Sequence, residues 1–217
     1  MELKNAKINF LGDSITEGVG VADQRNRYDN RIADTYGAIC RNYGISGTRI
    51  ARQHVPSNEP RFDLNFSSRV AEMDPDADAI VVFGGTNDYG HGDAPLGVMT
   101  DRTTDTFYGA LHTLYTALIE KYPTARILVL TPLHRLNEER PTGDAKPEPV
   151  APLKTYVQII REVAEYYALP IVDLFASSGM QPAVPAIQQT YIPDGLHPND
   201  QGHAILAQRV AECLSHC

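Results

Sequence analysis

The 217-residue sequence has few cysteines, a deficit of positive charge and no long apolar run. Its three cysteines, Cys40, Cys213 and Cys217, are an odd number without CxxC spacing, which argues against a disulfide framework or a thiolate zinc site. Cys40 lies in an apolar run and is predicted to be a core residue. Cys213 and Cys217 lie at the C-terminal end of the sequence, and no function is assigned to them.

The charge balance and the lack of long apolar runs disfavour several kinds of partner, although a local basic pocket could override the net charge. Nineteen Lys and Arg residues stand against 27 Asp and Glu residues, a formal net charge of −8 that disfavours nucleic acid, anionic membranes and polyanionic substrates. No apolar run approaches the roughly 20 residues of a membrane span, so no membrane insertion is expected. The first predicted strand follows Met1 too closely for a signal peptide. We therefore expect a cytoplasmic protein, although a secreted enzyme without its leader would look the same.

Five short apolar runs alternate with segments of helical periodicity, without repeats or low-complexity tracts. The runs predict strands at residues 6–11, 38–43, 79–83, 126–131 and 170–175, and the periodic segments predict helices at residues 28–36, 62–73, 103–122, 153–169 and 200–214. Residues 132–152 and 177–196 are predicted to be loops. The alternation predicts an α/β fold, a three-layer α/β/α sandwich with a five-stranded parallel sheet in the flavodoxin-like order 2-1-3-4-5. At this length we expect one domain over residues 1–217.

The first predicted strand ends in the motif FLGDSITEG, residues 10–18. Its first glycine permits a sharp turn, and Thr16 and Glu17 favour a helix just beyond. Ser14 is therefore placed at a helix entrance, on the sheet edge where ligands of α/β proteins gather. The alternative is that Asp13 or Ser14 only caps this helix.

Two further predicted strand exits carry polar residues, NYGISGTRI at 42–50 and GGTND at 84–88. The order 2-1-3-4-5 makes the first and third strands neighbours, so Ser14, Gly47 and Asn87 are expected to converge. The backbone N–H groups of Ser14 and Gly47 and the carboxamide of Asn87 are then three donors for negative charge on an acyl oxygen. The alternatives are that Gly47 is a positive-φ turn residue and that Asn87 orders a loop.

The motif DGLHP, at 194–198, supplies a base for a serine hydroxyl. A serine becomes a useful nucleophile beside an imidazole, and the imidazole needs a partner on its other nitrogen to hold the correct tautomer. Asp194 precedes His197 by three residues, so its carboxylate can fold back onto the same ring. The alternative is that Asp194 caps a turn and His197 is an incidental loop histidine.

Together, GDSITEG, the NxGxSG of residues 42–47, GGTND and DGLHP resemble the four sequence blocks of the SGNH hydrolases, also called GDSL esterases and lipases. The resemblance implies that Ser14 is the nucleophile, that His197 is the general acid and base, and that Asp194 orients His197. It also implies that Gly47 and Asn87 complete an oxyanion hole with the Ser14 amide. The implied reaction is a two-step acyl transfer through an acyl-enzyme, with a small-molecule acyl ester as substrate and neither a metal nor an organic cofactor.

Residues beside these blocks are candidates for substrate contact, namely Asp13, Arg49, Tyr89 and His91, with residues 132–152 as a surface excursion or lid. The few large apolar residues in the flanking loops favour a short acyl group on a polar, sugar-like alcohol, as in a carbohydrate O-deacetylase. Lysophospholipase and thioesterase activities, which occur in the same family, are the alternatives. The sequence does not indicate an oligomeric state.

Three other classes of function are weighed against this hypothesis. A metal-dependent hydrolase has potential ligands in Asp13, Asp88, Asp194, His197 and His203, but no HxH or HExxH spacing accompanies them. Nucleotide binding is disfavoured because Gly18-Val19-Gly20 lacks a third glycine and the sequence has no GK[ST]. A non-catalytic carbohydrate- or partner-binding module remains, and the intact Ser14, Asp194 and His197 argue against it.

Overall fold

The computed structural model describes residues 1–216 and contains a five-stranded sheet whose neighbouring strands are all parallel. The strands are β1 (Lys7–Gly12), β2 (Ile39–Gly44), β3 (Ala79–Phe83), β4 (Arg126–Leu130) and β5 (Ile171–Val172). Their order is β2-β1-β3-β4-β5, which confirms the predicted fold class. In the centre of the sheet, Phe10 lies beside Asn42 of β2 and Val81 of β3. Cys217 lies outside the described residues.

Helices follow the strands and cover the sheet. They are α1 (Ser14–Glu17), α2 (Tyr28–Tyr36), α3 (Phe66–Arg69), α4 (Thr86–Gly90), α5 (Phe107–Lys121), α6 (Leu153–Tyr166), α7 (Leu174–Ser177), α8 (Pro185–Tyr191) and α9 (Asp200–His216). Short 3₁₀ helices lie at Gln24–Asn26, Pro60–Asp63 and Val70–Glu72. Among the helices of residues 1–216, none has the length and apolar character needed to cross a membrane.

Alternate residues of the central strands enter two cores on opposite faces of the sheet, as strand geometry requires. Leu11, Ile80, Val82, Ile127 and Val129 join the core beneath α3, α5 and α6, whereas Ile8, Phe10, Val81, Phe83, Leu128 and Leu130 join the core beneath α2 and α9. These two cores form the three layers of the sandwich. Cys40 was predicted to be a core residue and is half-buried at the edge of the second core.

The predicted helix over residues 62–73 is wrong as a single element. The chain forms a 3₁₀ turn at Pro60–Asp63, becomes extended at Asn65, and only then begins α3. The Asn65 side chain accepts a hydrogen bond from the Ser68 N–H at 3.1 Å, so a new helix begins after residue 65. The apolar pattern predicted burial correctly, since Phe66, Val70 and Met73 are all buried.

Two predicted boundaries near the C-terminal half also differ from the structure. The fifth strand, predicted over 170–175, is limited to Ile171–Val172, because Asp173 caps α7 by accepting a hydrogen bond from the Ala176 N–H at 3.1 Å. The predicted loop over 177–196 contains α8, which begins at Pro185. A proline at the first position of a helix has the fixed φ angle that the helix needs.

Candidate active site

Ser14 follows the carboxyl end of strand β1, as the first residue of α1. Asp13 caps this helix, because its Oδ1 accepts a hydrogen bond from the Ile15 N–H at 3.1 Å. Asp13 therefore provides the helix cap, which leaves the Ser14 hydroxyl free to contact His197. Ser14 Oγ lies 3.0 Å from His197 Nε2, and the serine is only 6% exposed.

The turn that carries His197 is stabilised by its own aspartate. Asp194 Oδ2 lies 2.7 Å from His197 Nδ1, while Oδ1 accepts the N–H groups of Leu196 at 2.8 Å and His197 at 2.7 Å. Partial burial raises the pKa of Asp194, but these hydrogen bonds outweigh it and the pKa lies below its ordinary value. The ionised carboxylate can only accept, so Nδ1 carries the ring proton and Nε2 is left to accept from Ser14.

Gly47 lies in the loop after β2 and has a φ of +75°, a conformation that favours glycine. A Cβ at this position would lie 3.0 Å from the ring of Phe62, so space also excludes a larger side chain. The backbone N–H groups of Gly47 and Ser14 donate to no protein group within residues 1–216. Both are therefore available to a ligand.

Asn87 is the second residue of α4, which follows β3 through the left-handed Gly85. Its Nδ2 donates to the Thr48 carbonyl at 3.0 Å, and its Oδ1 lies 3.2 Å from His91 Nε2. The next residue, Asp88, accepts the backbone N–H groups of Ile50 and Ala51, each at 2.9 Å. The GGTND motif therefore fixes the loop that contains Gly47.

Arg69 lies beneath these loops, and the sequence analysis did not identify it. It is 5% exposed and donates to the carbonyls of Gly12 and Tyr43 and to Thr48 Oγ1, at 3.1, 2.6 and 3.1 Å. It therefore ties the ends of β1 and β2 to the Gly47 loop. Burial lowers the pKa of Arg69 to about 10. The sequence marks Arg69 only as a single arginine in a segment whose apolar positions, such as Phe66 and Val70, are buried.

The four residues predicted to contact substrate are all near the site, and their polar groups face protein partners. Tyr89 is buried and its hydroxyl donates to the Asn137 carbonyl, while Arg49 is 3% exposed and lies 3.1 Å from His91 Nδ1. Asp13 is 1% exposed, and burial raises its pKa to about 7. Their contact with substrate stays a prediction.

Residues 132–152 pack tightly against α4. Arg135 Nη2 lies 2.6 Å from both carboxylate oxygens of Asp144, and the Asp144 N–H donates to the Gly90 carbonyl at 2.7 Å. Lys146 is buried and donates to the Asp88 carbonyl and the Tyr156 hydroxyl at 2.6 and 2.7 Å. The segment therefore forms a fixed wall of the site, held by charged residues that no sequence motif marks.

The residues of the alternative metal hypothesis do not assemble into a site. Within residues 1–216, no group of three or more His, Cys, Asp or Glu side chains is arranged to hold a metal ion. His203 lies on α9 and is fully buried, and its Nδ1 accepts the Tyr28 N–H of α2 at 3.2 Å. It therefore does not share a ligand set with His197.

Known proteins resemble this chain over most of its length. The family model described as the GDSL-like lipase/acylhydrolase family matches residues 10–205. A structure of a Lactobacillus plantarum protein is 32% identical, with a TM-score of 0.83 and 99% of each chain covered. No curated protein matches the sequence.

Two more distant structures share the fold. A member of the lipolytic G-D-S-L family from Veillonella parvula is 15% identical, with a TM-score of 0.64, covering 98% of this chain and 100% of that one. A two-domain esterase active on acetylated mannans is 20% identical, with a TM-score of 0.64, covering 97% of this chain and 48% of that one.

Proposed function

This chain belongs to the GDSL-like lipase/acylhydrolase family, and on that premise we propose that it is a serine esterase removing short acyl groups from a polar, sugar-like alcohol. The observation that carries the proposal is the hydrogen-bonded chain from Ser14 Oγ to His197 Nε2, at 3.0 Å, and from His197 Nδ1 to Asp194, at 2.7 Å. Residues 183 positions apart in sequence meet at hydrogen-bond distance there.

The reaction follows from the proton positions along this chain. Ser14 attacks the ester carbonyl while His197 Nε2 takes the hydroxyl proton, and Asp194 stabilises the imidazolium that forms. The imidazolium then protonates the alcohol oxygen as the ester C–O bond breaks, leaving an acyl-enzyme on Ser14. A water molecule hydrolyses the acyl-enzyme by the same proton transfers and releases the carboxylic acid.

Three hydrogen-bond donors would stabilise the negative charge that develops on the carbonyl oxygen. They are the backbone N–H groups of Ser14 and Gly47 and the second N–H of the Asn87 carboxamide, whose first N–H is held by Thr48. Such donors stabilise the tetrahedral intermediate, and losing one typically costs about 10²- to 10³-fold in rate. The donors are attached to loops fixed by Arg69 and Asp88, so little reorganisation is needed when the charge forms.

A narrow cleft beside Ser14 favours a short acyl group. It is lined by apolar residues such as Phe83 and Leu196 and by the buried ionisable side chains of Asp13 and Arg135, and it is too narrow to admit a group the size of water. A long apolar chain would have to push these packed side chains apart, which costs free energy, whereas an acetyl group needs far less room. We therefore expect faster turnover of p-nitrophenyl acetate than of the octanoate.

The test is labelling by a fluorophosphonate probe combined with a substrate panel. Labelling is expected for the wild-type protein and for Ser177→Ala, an exposed serine of α7, and is expected to be lost in Ser14→Ala. The panel contains acetylated sugars and acetylated mannan, which one structural neighbour uses, together with long-chain esters, lysophospholipids and acyl thioesters. Labelling that persists in Ser14→Ala would refute the serine mechanism, and a preference for octanoate would refute the short-acyl assignment.

A further inference from the structure

We infer that Arg49 and His91 are positioning residues, which hold the Asn87 carboxamide and the Gly47 loop in the geometry that an oxyanion needs. The inference rests on the proposed function and deepens it. Sequence reasoning placed both residues among the substrate contacts, but their side chains face the oxyanion donors from the protein side.

The guanidinium of Arg49 is occupied by protein acceptors. Nη1 lies 3.3 Å from the Gly47 carbonyl and 3.1 Å from His91 Nδ1. Nη2 lies 2.7 Å from Asp63 Oδ1, 3.1 Å from the Phe62 carbonyl and 3.2 Å from Ser57 Oγ. Nε is buried and has no partner among the described residues. The Nη1 and Nη2 groups of this guanidinium are thus taken up by protein groups, the unpartnered Nε N–H is buried, and the side chain contacts the Gly47 loop directly.

The contact with Arg49 determines the tautomer of His91. An arginine N–H can only donate, so His91 Nδ1 is an acceptor and carries no proton. Burial, assisted by the positive charge of Arg49, lowers the pKa of His91 to about 4, so the ring is neutral at neutral pH. Its single N–H is therefore on Nε2, which faces Asn87 Oδ1 at 3.2 Å.

This N–H in turn determines which way the Asn87 amide points. Because Oδ1 accepts from His91, the NH₂ group lies on the other side, where one N–H donates to the Thr48 carbonyl at 3.0 Å. The remaining N–H has no protein partner within residues 1–216 and is free for the oxyanion. A flipped amide would place its oxygen toward the negative charge, and it would also set the Asn87 NH₂ against the His91 N–H.

One side chain therefore controls two of the three oxyanion donors. Arg49 contacts the Gly47 carbonyl itself and reaches Asn87 through His91, and Asp63 holds the guanidinium in place. Misplacement by a fraction of an ångström lowers the rate without abolishing substrate binding. The expected consequence of losing His91 is a fall in kcat.

A double-mutant cycle between His91 and Asn87 tests the inference. His91→Phe keeps a ring of similar size but removes the N–H, and it is expected to lower kcat on p-nitrophenyl acetate by about 10- to 100-fold, with KM within about twofold. In an Asn87→Ala background, the same change is expected to lower kcat by less than about twofold, because the amide that His91 orients is absent. His91→Gln, which retains an N–H donor, should keep more activity than His91→Phe. If His91 acted only by packing, His91→Phe would instead keep more activity than His91→Gln.

The matched control is His54→Phe, an exposed histidine whose ring contacts the Asp105 carbonyl at 3.0 Å, for which unchanged kcat is expected. Thermal melts verify folding, and if His91→Phe does not fold, the cycle is run with Arg49→Lys, whose three donors on one nitrogen cannot replace all five contacts of the Arg49 Nη groups. Equal losses of kcat in the two Asn87 backgrounds, or a change in KM alone, would overturn the inference. Failure of the proposed function would be recognised separately, by full turnover in Ser14→Ala.

Discussion

Asp13 is a buried carboxyl group next to the serine that we propose as nucleophile. Burial raises its pKa to about 7, against the opposing effect of the hydrogen bond from the Ile15 N–H, so the native protein holds a proton that the unfolded chain releases near pH 3.8. The native state therefore becomes less stable, relative to the unfolded chain, as the pH rises from about 4 to 7. Above pH 7 this loss is complete.

Asp13→Asn is expected to remove this pH dependence. The pKa of Asp13 is about three units higher in the native protein than in the unfolded chain, which corresponds to about 4 kcal/mol. The free energy of unfolding of Asp13→Asn, relative to that of the wild type, should therefore be about 3 to 4 kcal/mol higher at pH 8 than at pH 4. Urea titrations of both proteins at several pH values measure the difference. A difference that does not vary with pH would contradict the raised pKa.

Asp194 orients the imidazole that we propose as the base. In Asp194→Asn, an amide oxygen or NH₂ group replaces the ionised acceptor, so the ring proton is no longer directed to Nδ1 and Nε2 is less available to Ser14. We expect kcat on p-nitrophenyl acetate to fall by about 10²- to 10⁴-fold, with the fold intact by circular dichroism. Turnover within about threefold of the wild type would remove Asp194 from the mechanism.

Which site residues the sequence could predict depends on how far their partners lie along the chain. Asp194 and His197 are on one turn, and Ser14 follows a strand, so local motifs could predict where these three side chains lie. Arg49 and Arg69 were not readable in this way, because their partners lie in separate segments that only the folded chain brings together. A charged residue with no motif looks the same in a solvated loop and in a buried hydrogen-bond network.

Among the elements, α1 is joined directly to the loop of Gly47. Glu17, the last residue of α1, accepts the Ser46 N–H at 2.7 Å and the Ser46 hydroxyl through Oε2, and it accepts from Arg61 through Oε1 at 2.6 Å. Burial raises the pKa of Glu17, but these hydrogen bonds outweigh it and lower the pKa below its ordinary value. The short helix that begins with Ser14 thus also fixes the residue before Gly47.

Glu17→Ala is expected to loosen the Gly47 loop while leaving the hydrogen bond between Ser14 and His197 in place. One backbone donor of the proposed oxyanion hole then becomes mobile, so kcat should fall by about tenfold with a smaller change in KM. Steady-state kinetics of Glu17→Ala are compared with those of Glu120→Ala, an exposed glutamate on α5. Equal kcat values for the two variants would show that the connection has no catalytic effect.

The boundaries of a strand or helix could be predicted where all its residues are apolar, but not where a polar side chain caps a new helix within the segment. The run 79–83 is apolar throughout, and β3 has these bounds. Between residues 62 and 73 the apolar spacing is equally regular, yet Asn65 caps a new helix and Asp63 bonds to Ser57 and Arg49 instead of continuing the first one. Apolar spacing predicts which face is buried, whereas side-chain hydrogen bonds determine where a helix begins.

For the molecule as a whole, His203 connects elements from the two ends of the described chain. It lies on α9, its ring is stacked on Tyr28 with centroids 5.8 Å apart, and its Nδ1 accepts the Tyr28 N–H of α2. Burial lowers the pKa of His203 to about 4, and Nε2 has no partner within residues 1–216. The native state therefore excludes a proton that the unfolded chain binds near pH 6.5, and stability is lost as the pH falls through this interval.

His203→Gln should make global unfolding less sensitive to acid. Between pH 7.5 and pH 5, the free energy of unfolding of the wild type is expected to fall by about 2 kcal/mol relative to the variant, because glutamine does not titrate. Chemical denaturation at the two pH values measures the change, with the exposed His54→Gln as control. An equal pH dependence in wild type and His203→Gln would show that the buried ring is not responsible.

The Asp194–His197 turn is held mainly by the hydrogen bonds of Asp194 and by one from the Leu136 N–H to the Gly195 carbonyl at 2.8 Å, whereas the proposed oxyanion donors are anchored to the ends of β1 and β2 and to α4. Fewer hydrogen bonds must break to open this turn than to unfold the sheet, so heating should interrupt the proposed proton transfer while the sheet keeps its folded structure. Ester hydrolysis should then be lost several degrees below the unfolding temperature measured by calorimetry. The activity should return at once on cooling, because the proposed base is displaced while the protein stays folded. Activity that declines only in step with the heat-capacity peak would show that the turn and the sheet open together.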